Sequence, residues 1–333
     1  MRIFLAGATG AIGRRLIPIL VQAGHSVAGM TRSPDKIPSL RSAGAEPVVV
    51  DALDADAVMS AMRKAAPEVV VHELTAIPAM LDFRKIEQQF ALTNRLRTEG
   101  TDHLLAAAVA VGARRFVAQS FAGWPYARTG GPVKTEEDPL DTNPPAALQQ
   151  TMEAIRHLEK RVVGISGIES VVLRYGGFYG PGNTLGEGGA MLDQVRQRRV
   201  PVVGGGGGVW SFIHIDDAAL ATLAAIERGA PGIYNIVDDA PAPVSTWLPA
   251  LAAILGAKPP RHVPAWLARF LIGEQGIMFM TESRGASNAK AKRDLEWQPM
   301  WPSWRQGFAR GLGDNVPAVD HGVEFATSSD RRL

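Results

Sequence analysis

The sequence predicts an α/β protein: a doubly wound parallel sheet with a smaller C-terminal substrate domain. Three observations predict it. Short, continuously apolar runs alternate with helical stretches over the first 120 residues; three glycines, Gly7, Gly10 and Gly13, close the first run and open the first helix; and the texture turns Gly- and Pro-rich after Tyr175. Runs apolar at every residue suit strands covered on both faces. Strand–helix alternation at this spacing implies right-handed crossovers and hence parallel strands.

The elements follow in order. RIFLAG is the first strand and leads into a helix from about Ala11 to Ala23. SVAGMT is the second, followed by a helix after Pro34. EPVVVD precedes a helix from Asp54, and EVVVHEL precedes a long helix ending near Gly112. RRFVAQS is the fifth strand; a helix from about Pro145 to Ile165 then leads to SVVLRYGG, the sixth. GIYNIVDD, much later, returns to the sheet. Residues 1–175 therefore read as a nucleotide-binding domain completed by a late strand near 232–238. Segments 176–231 and 239–315 read as the substrate-binding part, and 316–333 as a polar, fraying tail. The run Gly204 to Gly208 reads as a turn before a short strand.

Composition narrows the functional classes. Lys+Arg 35 against Asp+Glu 33 leaves a net charge of +2, and no basic run tracks a nucleic-acid backbone, so no nucleic-acid partner is expected. With no cysteine, thiolate metal sites, disulfides and a thiol nucleophile are all excluded. No His/Asp/Glu spacing suggests a metal. The most apolar stretch, PAWLARFLIGEQGIMFM, is broken by Arg269, Gly273 and Glu274 and is too short to span a bilayer. With no leader-like segment at the N-terminus, the expectation is a soluble cytoplasmic protein without a membrane partner.

The strand–turn–helix around Gly7, Thr9, Gly10, Ala11, Ile12 and Gly13 is the strongest local signal. Glycine allows a tight turn and close approach of backbone to phosphate, and free N–H groups at a helix start favour an anion. This is the Rossmann-type dinucleotide cradle. The end of the second strand chooses between dinucleotides. It carries Arg32, with no carboxylate before Asp35, where an NAD site usually places an acid for the ribose. A guanidinium suits a 2′-phosphate, and Arg14 offers a second positive charge. The expected cofactor is NADP(H).

GATGAIG, DALD after the third strand, VVVHEL at the fourth and Asn94 in the long helix occur in order, followed by YGPGN, FIHIDDAA and KAKRDLEWQP. Together, over roughly residues 1 to 310, they resemble an extended short-chain dehydrogenase/reductase of the NAD(P)-dependent epimerase/dehydratase kind. The resemblance implies that Asp51 and Ala52 border the adenine. It places His72, Glu73 and Leu74 beside the ribose and nicotinamide, and Tyr175, Gly176 and Phe178 under the carboxamide. It also suggests a homodimer through the long helix before Gly112 and the helix from about Pro145. In FIHIDDAA, Asp216 is the expected N-cap.

The chemistry of that family rests on a Ser or Thr after the fifth strand and a Tyr-x-x-x-Lys pair on the next helix. Ser120 matches the first. The pair is missing: with Glu159 aligned to the glutamate that usually follows it, Thr151 and Ile155 stand in its place, and no Tyr-x-x-x-Lys occurs anywhere in the chain. Threonine is too weak an acid to exchange a proton with a substrate oxygen, and isoleucine brings no charge. Tyr126, on the loop after Ser120, could enter the pocket as a substitute, or pack as a loop tyrosine against Trp124. Arg284 is the second-domain arginine that could anchor an anion, or serve as a surface residue. The leading expectation is an NADP(H)-dependent oxidoreductase or epimerase-like enzyme acting on a small carbonyl or hydroxyl compound with noncanonical acid/base groups, Ser120 orienting the substrate oxygen and Tyr126 or a bound water handling the proton. The alternative is a non-catalytic NADP(H)-binding regulator, which an exposed apolar patch beside the cofactor would favour.

Overall fold

A computed structural model describes residues 1–314; the tail at 316–333 lies outside the described residues. Seven parallel strands form the central sheet: β1 (Arg2–Ala6), β2 (Ser26–Thr31), β3 (Glu46–Val49), β4 (Val69–His72), β5 (Arg115–Phe121), β6 (Glu169–Tyr175) and β7 (Gly232–Ile236). Their spatial order is β7-β6-β5-β4-β1-β2-β3. The order reverses between β1 and β4, where strand ends of an open α/β sheet leave a crevice for ligands. β7 is the late strand foreseen in GIYNIVDD, paired to β6 with Tyr234 opposite Leu173.

Helices α1 (Ala11–Gln22), α2 (Ile37–Ser42), α3 (Ala55–Ala65), α4 (Ile86–Arg95), α5 (Thr101–Ala110) and α6 (Gln149–Val163) connect the first six strands, and a π-turn over Leu96–Gly100 joins α4 to α5. Two cores result. Leu16, Ile17 and Leu20 of α1 pack with Ile3 and Leu5 on one face; Leu104, Leu105 and Phe116 pack with Phe4 and Val70 on the other. That alternation along β1 is why its run is apolar without a break from Ile3 to Ala6. The apolar segment of α5, a suggested dimer surface, turns Leu104, Leu105, Ala107 and Ala108 onto this core, fully buried within the single chain.

The remainder carries α7 (Ala190–Arg196), α8 (Ile215–Glu227), α9 (Val244–Ile254) and α10 (Ala265–Thr281), then α11 (Ala289–Asp294) and α12 (Trp304–Arg310). α8 packs on α1 against the sheet, whereas α9, α10 and α12 enclose a separate core around Phe212, Trp247, Trp304 and Phe308. Gly273, at φ 66° and ψ −179°, breaks α10 in two. The glycine run at 204–208 does form a turn, between short strands Val202–Val203 and Val209–Trp210. At α8 the cap differs from expectation: His214 is the N-cap, its ring accepting from the Asp216 N–H at 3.2 Å, while Asp216 sits in the first turn. Among the described residues, no helix is long and apolar enough to cross a membrane.

Candidate cofactor and active site

A cavity of about 310 Å³ opens at the β1/β4 reversal. Its floor is the turn between β1 and α1. Gly7 has φ +96°, and a Cβ there would lie 2.6 Å from the Glu73 carbonyl oxygen; a Cβ at Gly13 would lie 2.4 Å from the Gly7 carbonyl. Both positions therefore exclude a side chain, and the turn closes by a Gly10 N–H to Gly7 carbonyl bond of 2.9 Å. α1 starts at an N-cap glycine with no side-chain cap and no acidic residue in its first turn. Its first N–H groups and dipole are left for an anion.

Eleven of the sequence-predicted residues line this cavity: Gly7, Thr9, Gly10, Ala11, Ile12, Arg32, Asp51, Ala52, Glu73, Leu74 and Phe178. Arg32 stands exposed at the rim, with no hydrogen bond or ion pair among the described residues. Asp51 accepts from the Leu53 N–H at 3.0 Å, and the Phe178 ring packs tilted against Tyr175 at 5.5 Å. Sequence reasoning missed Thr31, Ser33 and Gln119, which also line the wall. The two hydroxyls flank Arg32, so adjacency to that arginine was the available signal.

The other expected cofactor residues do not line the cavity. Gly13 lies beneath the turn. Arg14 reaches back to the Gly10 carbonyl at 3.4 Å and lies near Gly182. His72 is fully buried with its ring turned away, Nε2 bonded to Thr101 Oγ1 at 3.0 Å and Nδ1 accepting from the Leu74 N–H at 3.3 Å. Burial, with the nearby Arg97 charge, lowers its pKa to about 4, so it is a neutral prop and not a wall residue. Asn94 donates to Thr151 Oγ1 at 3.2 Å. Tyr175 bonds Glu73 and Thr222, and Gly176 packs under Ser211, whose carbonyl a Cβ would meet at 2.8 Å.

Neither expected catalytic group reaches the wall. Ser120 Oγ donates to Glu159 at 2.7 Å. The same carboxylate binds the Arg174 guanidinium through two bonds, 2.8 and 2.6 Å. Arg174 also donates to the Tyr126 hydroxyl at 2.9 Å, and that hydroxyl donates to Asn235 Oδ1 at 2.6 Å. The physical reason is strand alternation: successive side chains of β5 face opposite sides, so Gln119 lines the cavity and Ser120 faces α6. Tyr126 is 1% exposed and packs on Ala122, Val237 and Ala286 instead of Trp124. Burial pushes its pKa up, away from use as a proton donor near neutrality. Thr151 and Ile155, where the usual pair would stand, are both buried on α6. Arg284, the other anion candidate, turns its two terminal nitrogens to the Glu282 and Arg128 carbonyls, while its Nε is buried without a partner.

Beside Ile155 lies an aromatic cluster. Phe83 and Phe279 are 5.5 Å apart, Trp124 and Phe279 5.6 Å, and Phe121 and Trp124 6.3 Å, with Phe83, Phe121 and Phe279 partly exposed. It joins the carboxyl end of β5 to α10, so an apolar wall stands at the sheet edge.

Doubly wound topology, a glycine cradle at the strand-order reversal and a helix start left open to an anion define a dinucleotide-binding protein. The NAD dependent epimerase/dehydratase family model matches residues 3–237, and the chain belongs to that family. Its relatives include reductases. A 3-diazoavenalumate denitrifying reductase from a Streptomyces species is 45% identical over 93% of this chain and the whole of that protein. Two solved structures share the fold. A UDP-glucose 4-epimerase from Thermotoga maritima, with UDP-glucose, has a TM-score of 0.74 at 22% identity, covering 93% of this chain and 96% of that one. The human epimerase family protein SDR39U1, with NADPH, has 0.69 at 19%, covering 93% and 98%.

Proposed function

We propose that this protein is an NADPH-dependent reductase whose substrate is an aromatic diazo compound, reacting as its diazonium ion. The observation that carries the reading is the removal of proton donors from the site: Thr151 and Ile155 replace the acid/base pair, while Ser120 and Tyr126 are engaged in a buried network. A carbonyl substrate needs a proton as its oxygen becomes a hydroxyl; a diazonium ion carries its own positive charge and needs no net proton. When bound, NADPH would supply hydride to the terminal nitrogen; the resulting Ar–N=N–H loses its N–H proton, its C–N bond breaks to release N₂, and the ring carbon takes up a proton, so that Ar–N₂⁺ + NADPH gives Ar–H + N₂ + NADP⁺ with no net proton. The name of the 45% identical reductase supports this substrate class.

The chain's own residues have fitting roles. The backbone N–H groups of Ala11 and Ile12 would hold the diphosphate, and Arg32, with Thr31 and Ser33, the 2′-phosphate. Asp51 and Ala52 would border the adenine. Phe83, Phe121, Trp124 and Phe279 would hold an aromatic ring and keep water from it. On this reading residues 1–175 with β7 carry the cofactor, and 176–231 with 239–314 close over the substrate.

NADPH oxidation with an arenediazonium salt, against a matched aryl ketone and an enzyme-free control, tests the reading. Diazonium-dependent oxidation without ketone turnover is expected; the reverse preference would refute it. The regulator alternative gains no support from the exposed Trp266, Phe270 and Leu271 of α10, none of which lines the cavity.

A further inference from the structure

Three ionisable side chains line the cavity, Arg32, Asp51 and Glu73, and of these only Glu73 is withdrawn from solvent, at 5% exposure. Its backbone is fixed from two sides: the Glu73 N–H donates to the Ala6 carbonyl at 2.8 Å, and the Gly7 turn rests on its carbonyl. Its carboxyl is satisfied on one side only. Oε1 accepts from the Tyr175 hydroxyl at 3.1 Å, and that hydroxyl is shared with Thr222 at 2.7 Å. Oε2 is buried without a partner.

The surroundings supply no countercharge. From β6 the facing titratable group is Tyr175, and α8 contributes Thr222 through that tyrosine. The β1 turn contributes glycine backbone, and His72, adjacent on β4, points to Thr101 and Arg97. Among the described residues no lysine or arginine pairs with Glu73. An ionised carboxylate there would be unpaired, poorly solvated and close to the turn that receives a diphosphate. A neutral carboxyl has none of these penalties, and its Oε2–H is a donor in search of an acceptor.

We propose that Glu73 is a neutral acid in the nucleotide-binding form, because an ionised carboxylate behind the Gly7 turn would oppose the bound diphosphate, so that binding requires its protonation. This rests on the nucleotide reading of the cavity. Burial supports it independently, pushing the Glu73 pKa up to about 8 against the opposing bond from Tyr175. The protein would then release nucleotide on the alkaline side.

The test is a nicotinamide-fluorescence titration of the full chain with NADPH and, separately, NADH, from about pH 7 to about 9.5. NADH lacks the 2′-phosphate, so it removes the Arg32 contact as a source of pH dependence. For both nucleotides the wild-type Kd should be flat below about pH 8 and rise about tenfold per pH unit above it. Glu73→Gln, which keeps an N–H donor but cannot ionise, should show no rise. Infrared spectra of the wild type at neutral pH should contain a protonated-carboxyl stretch that Glu73→Gln lacks. A wild-type Kd unchanged to the alkaline limit overturns the proposal, whatever the variant does. So does a folded Glu73→Gln that no longer binds at neutral pH. Absence of binding by either nucleotide at every pH overturns both this proposal and the reading of the cavity.

Discussion

Arg174 on β6 and Glu159 on α6 form an ion pair at 2.6 Å, with side chains only 4% and 7% exposed. The hydroxyls of Ser120 and Tyr126 attach to opposite ends of it, and Asn235 of β7 completes the chain. Four elements and a loop, β5, β6, β7, α6 and the segment after β5, are thereby tied together beneath the sheet's carboxyl edge. The pair and its hydroxyls brace the site without entering it.

Bracing is measurable as stability. Glu159→Gln leaves a buried guanidinium without its countercharge and should lower unfolding free energy by about 3–5 kcal/mol. Tyr126→Phe strands one acceptor and one donor and should cost about 1–3 kcal/mol. Denaturant unfolding of both variants checks the order; Tyr126→Phe at or above the cost of Glu159→Gln would show that the pair is not the organising element.

Arg32 should set nucleotide preference. Arg32→Ala should weaken NADPH binding about tenfold to a hundredfold, the value of one charge-assisted contact, and leave NADH nearly unchanged. Parallel titrations read this directly. Equal loss for both nucleotides would place Arg32 away from the 2′-phosphate.

Strand runs were legible because burial on both faces makes residues 3–6 of β1, 69–71 of β4 and 171–173 of β6 apolar without a break, and the glycine cradle was legible because Gly7 and Gly13 have no room for a Cβ. Which β5 residue faces the cavity was not. Ser120 and Gln119 are neighbours on opposite faces, and a one-residue difference in phase exchanges their roles. The partners of Tyr126 were equally hidden, since Asn235 lies 109 residues away along the chain. His72 read as a wall residue because it ends β4, but its ring turns inward to Thr101.

His72 predicts an acid sensitivity. Its folded pKa is depressed from 6.5 to about 4, so the stability of the neutral ring is fully present above about 6.5 and is lost as pH falls toward 4. The loss should reach on the order of 3 kcal/mol relative to His72→Gln, which cannot titrate. Unfolding free energies of the two proteins across that window should converge on the acid side. Parallel curves would mean that the imidazole is not the titrating group.

The cradle has little tolerance. Gly13→Ala places a Cβ 2.4 Å from the Gly7 carbonyl and 2.6 Å from that of Ala8. It should cost about 1–3 kcal/mol by overpacking and weaken both nucleotides together, because the turn itself must shift. Calorimetry with NADPH and NADH checks this, and selective loss of one nucleotide would contradict it.

The central claim is reduction without a protein-supplied proton, and stoichiometry combined with variants tests it most directly. With an arenediazonium substrate, N₂ release and NADPH oxidation are followed together for wild type, Ser120→Ala and Tyr126→Phe, normalised to folded protein. The account predicts one N₂ per NADPH and rates within about twofold of wild type in both variants. Loss of a proton-transferring side chain typically costs about a hundredfold to ten-thousandfold. A fall of that size in Tyr126→Phe or Ser120→Ala, or NADPH oxidation without N₂, would contradict it.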